Sequence, residues 1–231
     1  MLNSFQNSLK EFFMSMKFKA VLFDMDGIII DSEQAVIDCW KITADKYGIP
    51  DIEVFCKKVL GVNSENTRKV FNKMYEGRFS YDDFKPEMRE LFVTRFDAGQ
   101  VPVKPGAREL LTYLKDNGIK TALCSSTSEE AVKREMRGVG LYDFFDVYVC
   151  GDQVTRSKPD PEIWLKGLSE LGVEACDAAG IEDSYNGVRS SHAAGLYTFM
   201  VPDLIAPDDE MRSLADEILP SLNDVLARIR E

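Results

Sequence analysis

Two carboxylates one residue apart, Asp24 and Asp26 in the stretch Val21-Leu22-Phe23-Asp24-Met25-Asp26-Gly27, are the first residues here whose type and spacing could do chemistry. The apolar run Ala20 to Phe23 reads as a strand buried on both faces, and it stops at the two acids. In extended backbone residues i and i+2 share a side, so both carboxylates project together, while Gly27 lets the chain turn away without a Cβ penalty. Like charges that close repel by about 1 kcal/mol in water and roughly 4 kcal/mol at an effective dielectric of 20. A divalent metal would offset that repulsion. Two solvated acids in a loop would also carry this pattern, and the short motif by itself does not choose between them.

Three further groups fall where strands are expected to end. The strand Ile119 to Cys124 runs into Ser125-Ser126-Thr127-Ser128-Glu129-Glu130, and Thr127-x-x-Glu130 has the spacing of a capping box opening a helix. A helix N-terminus with free N–H groups and hydroxyls beside it binds phosphate, although a serine-rich cap without a ligand reads the same way. In Ser157-Lys158-Pro159-Asp160-Pro161, Pro159 biases Lys158 toward extended backbone and Pro161 suits a first helical turn, which holds Lys158 on a strand-to-helix loop. The run Gly180-Ile181-Glu182-Asp183-Ser184 places another carboxylate pair at a strand end. Together with Asp24 and the backbone carbonyl of Asp26, these acids make an oxygen-rich shell that suits Mg²⁺; tetrahedral zinc would call for Cys or His.

The elements that must position these residues follow from pattern and composition. The chain has 231 residues, 45% hydrophobic, enough for a sizeable core, and a net charge of −11. That charge argues against general binding to nucleic acid or anionic membrane, so an anionic substrate needs a local positive site. Five scattered cysteines with no C-x-x-C pair suit free thiols in a reducing cytosol, and no segment reaches the ~20 apolar residues of a membrane span or shows a signal-type block. One histidine, His192, sits in a helical pattern without a G-x-S-x-G elbow, which excludes a His-rich metal site and disfavours a serine triad.

Residues 1–16 carry an amphipathic stripe, an N-terminal extension expected to be helical. Helical patterning without a strand fills 34–101, in segments 33–47, 51–59, 64–75 and 83–97, and reads as an inserted domain of four helices. Residues 17–33 and 102–231 form the core: helix 105–117, strand 119–124, helix 128–138, strand 145–150, helix 160–171, strand 178–182, helix 185–194, strand 196–201, a weak strand near 216–219 and a helix from Ser221. The alternation predicts an α/β fold, a Rossmann-like doubly wound parallel sheet whose ligands sit beyond the carboxyl ends of the strands. An insertion just after the first strand would overhang the same crevice.

These stretches, with Asp31-Ser32-Glu33, Leu123-Cys124-Ser125-Ser126, Gly187 and Ala193-Ala194-Gly195, together resemble the haloacid dehalogenase-like hydrolases, in the subgroup of beta-phosphoglucomutase-like and phosphoglycolate-phosphatase-like proteins. The resemblance covers the chain from about Lys17. It implies a four-helix cap and a phosphoaspartyl mechanism with Asp24 as nucleophile and Asp26 as general acid/base. It further implies Gly27, Ser125, Ser126 and Lys158 around the substrate phosphate, and Mg²⁺ held by Asp24, Asp26 and Asp183 with Glu182 at or near it. A phosphatase acting on a small phosphorylated metabolite, such as a sugar phosphate, is expected. A phosphomutase and an inactive phosphoester-binding module are the alternatives, and a cytoplasmic monomer or weak homo-oligomer is the expected state. In Lys58-Val59-Leu60-Gly61-Val62-Asn63-Ser64, Leu60 and Ser64 stand where mutase-like relatives carry two cations, with Lys57 and Arg68 nearby in sequence; this favours hydrolysis over phosphate migration.

Overall fold

The computed structural model describes residues 18–59, 64–96 and 100–231. The stripe over 1–16, and Leu60 to Asn63 of the loop just discussed, lie outside the described residues. Six strands, β1 (Ala20–Phe23), β2 (Lys120–Ser125), β3 (Val147–Cys150), β4 (Ala178–Glu182), β5 (Tyr197–Met200) and β6 (Glu217–Ile218), form one parallel sheet in the order β3-β2-β1-β4-β5-β6. This is the Rossmann-like α/β architecture. β1 is central because it has no polar face to show: Val21 and Phe23 enter the core on one side, Ala20 and Leu22 the core on the other.

Between β1 and the next core helix lie α1 (Ser32–Tyr47), α2 (Ile52–Val59), α3 (Ser64–Tyr75) and α4 (Tyr81–Arg95). Then come α5 (Ala107–Asp116), α6 (Glu129–Gly138), α7 (Glu162–Leu171), α8 (Tyr185–Ala193), α9 (Asp209–Leu214) and α10 (Leu222–Ile229). Leu110 and Leu114 of α5, Val132 and Met136 of α6, and Val225 of α10 cover one face of the sheet; Ile163, Trp164 and Leu168 of α7 cover the opposite face. The sheet is therefore doubly wound.

The helices α1–α4 bury their own aromatic cluster, in which the Phe71 ring lies 4.7 Å from Tyr75, 5.3 Å from Phe55, 5.4 Å from Tyr81 and 5.6 Å from Phe84. The chain enters and leaves these helices along two adjacent paths tied by backbone bonds, Asp31 N to Pro102 O at 2.8 Å and Lys104 N to Ile29 O at 2.9 Å, with an antiparallel bridge between Ile30 and Val103.

Local chemistry moves several expected boundaries. α4 starts at Tyr81 rather than 83 because the Ser80 side chain accepts from the Asp83 N–H at 3.2 Å. α5 starts at Ala107 because Gly106, at φ +89°, turns the chain into it. α9 had no sequence expectation: it is six residues long and only Met211 is buried, too little to register as a period.

The aromatic cluster generates a test. Phe71→Ala removes the ring that stands against five of the others, Trp40 included, and a loss of about 3–5 kcal/mol is expected, or roughly 6–20 °C in melting temperature. A melting curve within 2 °C of the parent would show that this cluster is not what holds the four helices together.

Candidate active site

Strand register brings the chemical groups to one level. Phe23 pairs with Leu123 on one side and Ile181 on the other, so Asp24, Cys124 and Glu182 follow together at the carboxyl edge, and the Asp24 N–H donates to Ile181 O at 3.0 Å. Asp24 is only 8% exposed, Asp183 5% and Glu182 1%.

Into this group of acids reaches Lys158, itself buried. Its ammonium donates to Asp24 Oδ1 at 2.6 Å, to Glu182 Oε1 at 2.6 Å and to the Cys124 carbonyl at 2.9 Å, which uses all three of its donors. Glu162 holds the loop that carries it, accepting from the Thr155 N–H at 2.8 Å and the Arg156 N–H at 2.9 Å. Burial alone would push the Lys158 amine down, but Asp24 and Glu182 outweigh it and hold it above the ordinary lysine range. The Glu182 carboxylate is fully engaged as well: its Oε2 accepts from the Asp183 N–H at 3.0 Å and from the Ser184 N–H and hydroxyl, each at 3.1 Å. Asp24 is pushed well above the usual carboxylate range, by burial first and by its neighbours Glu182 and Asp26 besides, against the pull of Lys158. The cluster thus holds more buried carboxylates than cations.

Asp26 stands in a different setting. Its Oδ1 accepts from the Ser32 hydroxyl at the start of α1, and its Oδ2 from the Thr127 hydroxyl at 3.2 Å. Burial raises its carboxyl above the ordinary value, and the two hydroxyls oppose that shift. Gly27, at φ +80°, makes the turn that follows; a Cβ there would also sit 2.4 Å from Asp183 Oδ2, so this position needs glycine for two independent reasons.

The serine loop departs from expectation. Thr127 does not open a capping box: its hydroxyl is committed to Asp26, Ser128 is the N-cap residue of α6 without a side-chain bond, and the free Glu129 N–H is taken by Asp152 Oδ1 at 3.0 Å. Ser125 is fully buried and its Oγ accepts from the Thr127 N–H at 3.1 Å, whereas Ser126 is exposed. His192 is exposed in the last turn of α8, at the end of that helix opposite Ser184.

Three buried acids, Asp24, Glu182 and Asp183, bring carboxylate oxygens within 4.8 Å of one another. The donors are all oxygen and carry surplus negative charge, which fits a hard divalent cation. Since Glu182 is saturated by Lys158 and the Ser184 turn, Asp24 and Asp183 are the acids able to act as ligands, and Glu182 fixes the geometry around them. The Asp26 carboxylate is turned to its two hydroxyl donors, so only its backbone carbonyl could join that shell.

Beyond Asp26 a cleft of about 330 Å³ opens between α4 and α6, walled by Val36, Lys85, Met88, Arg89 and Phe92 on the helical side and by Thr127, Arg134 and Glu135 on the sheet side. None of Lys85, Arg89, Arg134 or Glu135 stood out in the sequence. Their one signal is charge at positions that α4 and α6 turn toward each other, which needs the packing of two helices distant in sequence.

The profile described as haloacid dehalogenase-like hydrolase matches residues 21–201. A phosphorylated carbohydrates phosphatase of Thermotoga maritima is 34% identical over 178 residues, covering 77% of this chain and 82% of that protein. Among solved structures, CbbY from Rhodobacter sphaeroides in complex with phosphate superposes with a TM-score of 0.74 at 26% identity, covering 93% of this chain and all (100%) of that one. A beta-phosphoglucomutase from Clostridium difficile gives 0.73 at 25%, covering 90% and 93%.

The support beneath Glu182 can be tested directly. A Cβ on Gly187, at the start of α8, would lie 1.8 Å from the Glu182 carboxyl. Gly187→Ala is therefore expected to push this carboxylate off Lys158 or shift α8, at about 1–3 kcal/mol, seen as a melting temperature lower by roughly 2–12 °C. An unchanged melt would mean that Glu182 is not wedged in place.

Proposed function

The chain belongs to the haloacid dehalogenase-like hydrolases, and from that premise we propose that it hydrolyses a small phosphomonoester, a sugar or polyol phosphate, through an aspartyl phosphate on Asp24. The observation that carries this reading is the pair of neighbouring acids in opposite settings: Asp24 buried against Lys158, Asp26 held by two hydroxyls where the cleft begins. In the first step an Asp24 oxygen bonds to phosphorus while the ester P–O bond breaks. Asp26, which stands where the cleft begins, gives a proton to the leaving oxygen. In the second step water attacks phosphorus, Asp26 takes back a proton, and Asp24 is released as carboxylate.

Lys158 keeps Asp24 aligned and balances part of the charge on the phosphoryl oxygens, and Gly27, Ser125, Ser126 and the nearby backbone N–H groups bind those oxygens. Asp24, Asp183 and the Asp26 carbonyl would hold Mg²⁺, which would supply charge neutralisation for the transferring group. The name of the Thermotoga relative supports a carbohydrate phosphate as substrate.

The structure of a beta-phosphoglucomutase relative favours a second reading, phosphate migration on a sugar. Hydrolysis is preferred because a mutase must grip the distal phosphate with fixed cations, whereas Arg68 is already paired with Asp82 at 2.8 Å, Lys57 lines a separate cleft with Leu204 and Ala206, and of the cations in the cleft beside Asp26, Lys85 lies over the Trp40 ring, Arg134 is bonded to Glu135 and Arg89 is exposed.

The experiment is phosphate release from a panel of phosphorylated sugars and polyols with Mg²⁺, run beside Asp24→Asn. The variant is expected to fold and to lose about a thousandfold or more in turnover; retention of a tenth of wild-type turnover would exclude the covalent route. Glucose 1-phosphate with a trace of the 1,6-bisphosphate belongs in the panel, and dominant conversion to glucose 6-phosphate would replace hydrolase with mutase. Failure of every member, with binding retained, would favour the inactive module. Removal of the metal gives an independent check: at a hundred times its dissociation constant Mg²⁺ should add about 2.7 kcal/mol, or roughly 5–10 °C, and a melt indifferent to both Mg²⁺ and chelator would sink the metal assignment.

A further inference from the structure

The cleft between α4 and α6 contains a buried group that the chemistry above does not use. Glu135, on α6, is 4% exposed. Its Oε1 accepts from Arg134 Nη2 at 2.9 Å and Nε at 3.3 Å, while its Oε2 is buried and has no hydrogen-bond partner. An acceptor on a charged group left in that state is costly, and native proteins seldom leave one unexplained. Ser128, Ala131 and Glu135 recur at helical spacing and line the same cleft, so α6 turns a consistent face toward it. The cleft begins at Asp26, the residue that would protonate the leaving oxygen, so the part of the substrate expelled from phosphorus lies here.

We propose that this cleft seats a neutral, polyhydroxylated leaving group and that Glu135 selects it by accepting a hydrogen bond from one of its hydroxyls. The inference rests on the phosphatase reading and adds to it the residue and the chemistry of choice. A hydroxyl donor satisfies Oε2; a carboxylate or second phosphate at the same spot is repelled by it. The facing wall of Val36, Met88 and Phe92 offers apolar surface to the C–H face of a sugar or polyol, the usual division of labour in a small-molecule site. The cations of that wall do not contradict this: the Lys85 amine lies 5.0 Å over the Trp40 ring, and Arg89 is exposed at the edge. At about 330 Å³ the space suits a monosaccharide-sized group.

The test compares kcat/KM for a hexitol phosphate, its analogue deoxygenated at successive carbons, a phosphorylated sugar acid and phenyl phosphate, in the wild type, Glu135→Gln and Glu135→Leu. The wild type is expected to prefer the hexitol phosphate, and Glu135→Leu to lose about ten- to a hundredfold on it while staying within about twofold on phenyl phosphate and on one deoxy analogue. That match between variant and analogue is what a merely structural role would not produce. Glu135→Gln, which keeps the shape and the Arg134 contact, provides the comparison if the leucine variant unfolds, and it should lose less in the same direction. Equal losses on phenyl phosphate and hexitol phosphate, or a wild-type preference for the sugar acid, would overturn the inference and leave the phosphatase intact. Absence of phosphate release from every compound would overturn both.

Discussion

The buried ammonium of Lys158 is the contact on which the rest of the site depends. It joins three segments distant in sequence, bonding the acid after β1, the Cys124 carbonyl near the end of β2 and the acid that ends β4. Removing one member of such a group is costly, about 3–5 kcal/mol for a buried pair, because the others are left charged and unpaired. The loop that carries Lys158 is fastened by Glu162, and the face of Glu182 away from it is filled by the Ser184 turn and backed by Gly187. Each support is ordinary; their joint effect is a set of acids held close against their mutual repulsion.

The sheet explains why that set can exist. A parallel sheet delivers all its strand ends to one edge, and the register of β1 with β2 and β4 sets the ends level to a residue. Asp26 lies past the strand, where the chain has already begun to turn, and its partners come from elements on either side: Ser32 from the first inserted helix and Thr127 from the loop after β2. The helical unit therefore completes the acid's surroundings as well as covering it. Asp24 and Asp26, separated by one residue, therefore end in unlike environments, the first against an ammonium and the second between two hydroxyls.

How much of this was legible depended on range. The central strands β1 and β4 are readable because they are buried throughout, and the turn at Gly27 because a positive φ has few alternatives. The capping box was misread for a reason local pattern cannot supply: Thr127 has a better acceptor in Asp26, a hundred and one residues earlier. The cleft was invisible for the same reason on a larger scale. Lys85 and Glu135 look like solvated charges along their own helices, and only the packing of α4 against the region of α6 makes them walls of one space. Gly187 is a partial clue, since a missing Cβ announces a close neighbour but not which one, here Glu182.

The two chain crossings that join the helical unit to the sheet have a mechanical consequence. They run side by side and are bonded to each other through Asp31, Pro102, Ile29 and Lys104, with Ile30 bridging Val103. Separate tethers would allow a hanging body to swing and spin; a bonded ribbon bends across its thin direction and resists torsion and in-plane shear. The four helices also carry their own aromatic core, so they can travel as a solid piece. The bonded ribbon therefore resists twisting of the four helices about the sheet more than two independent tethers would.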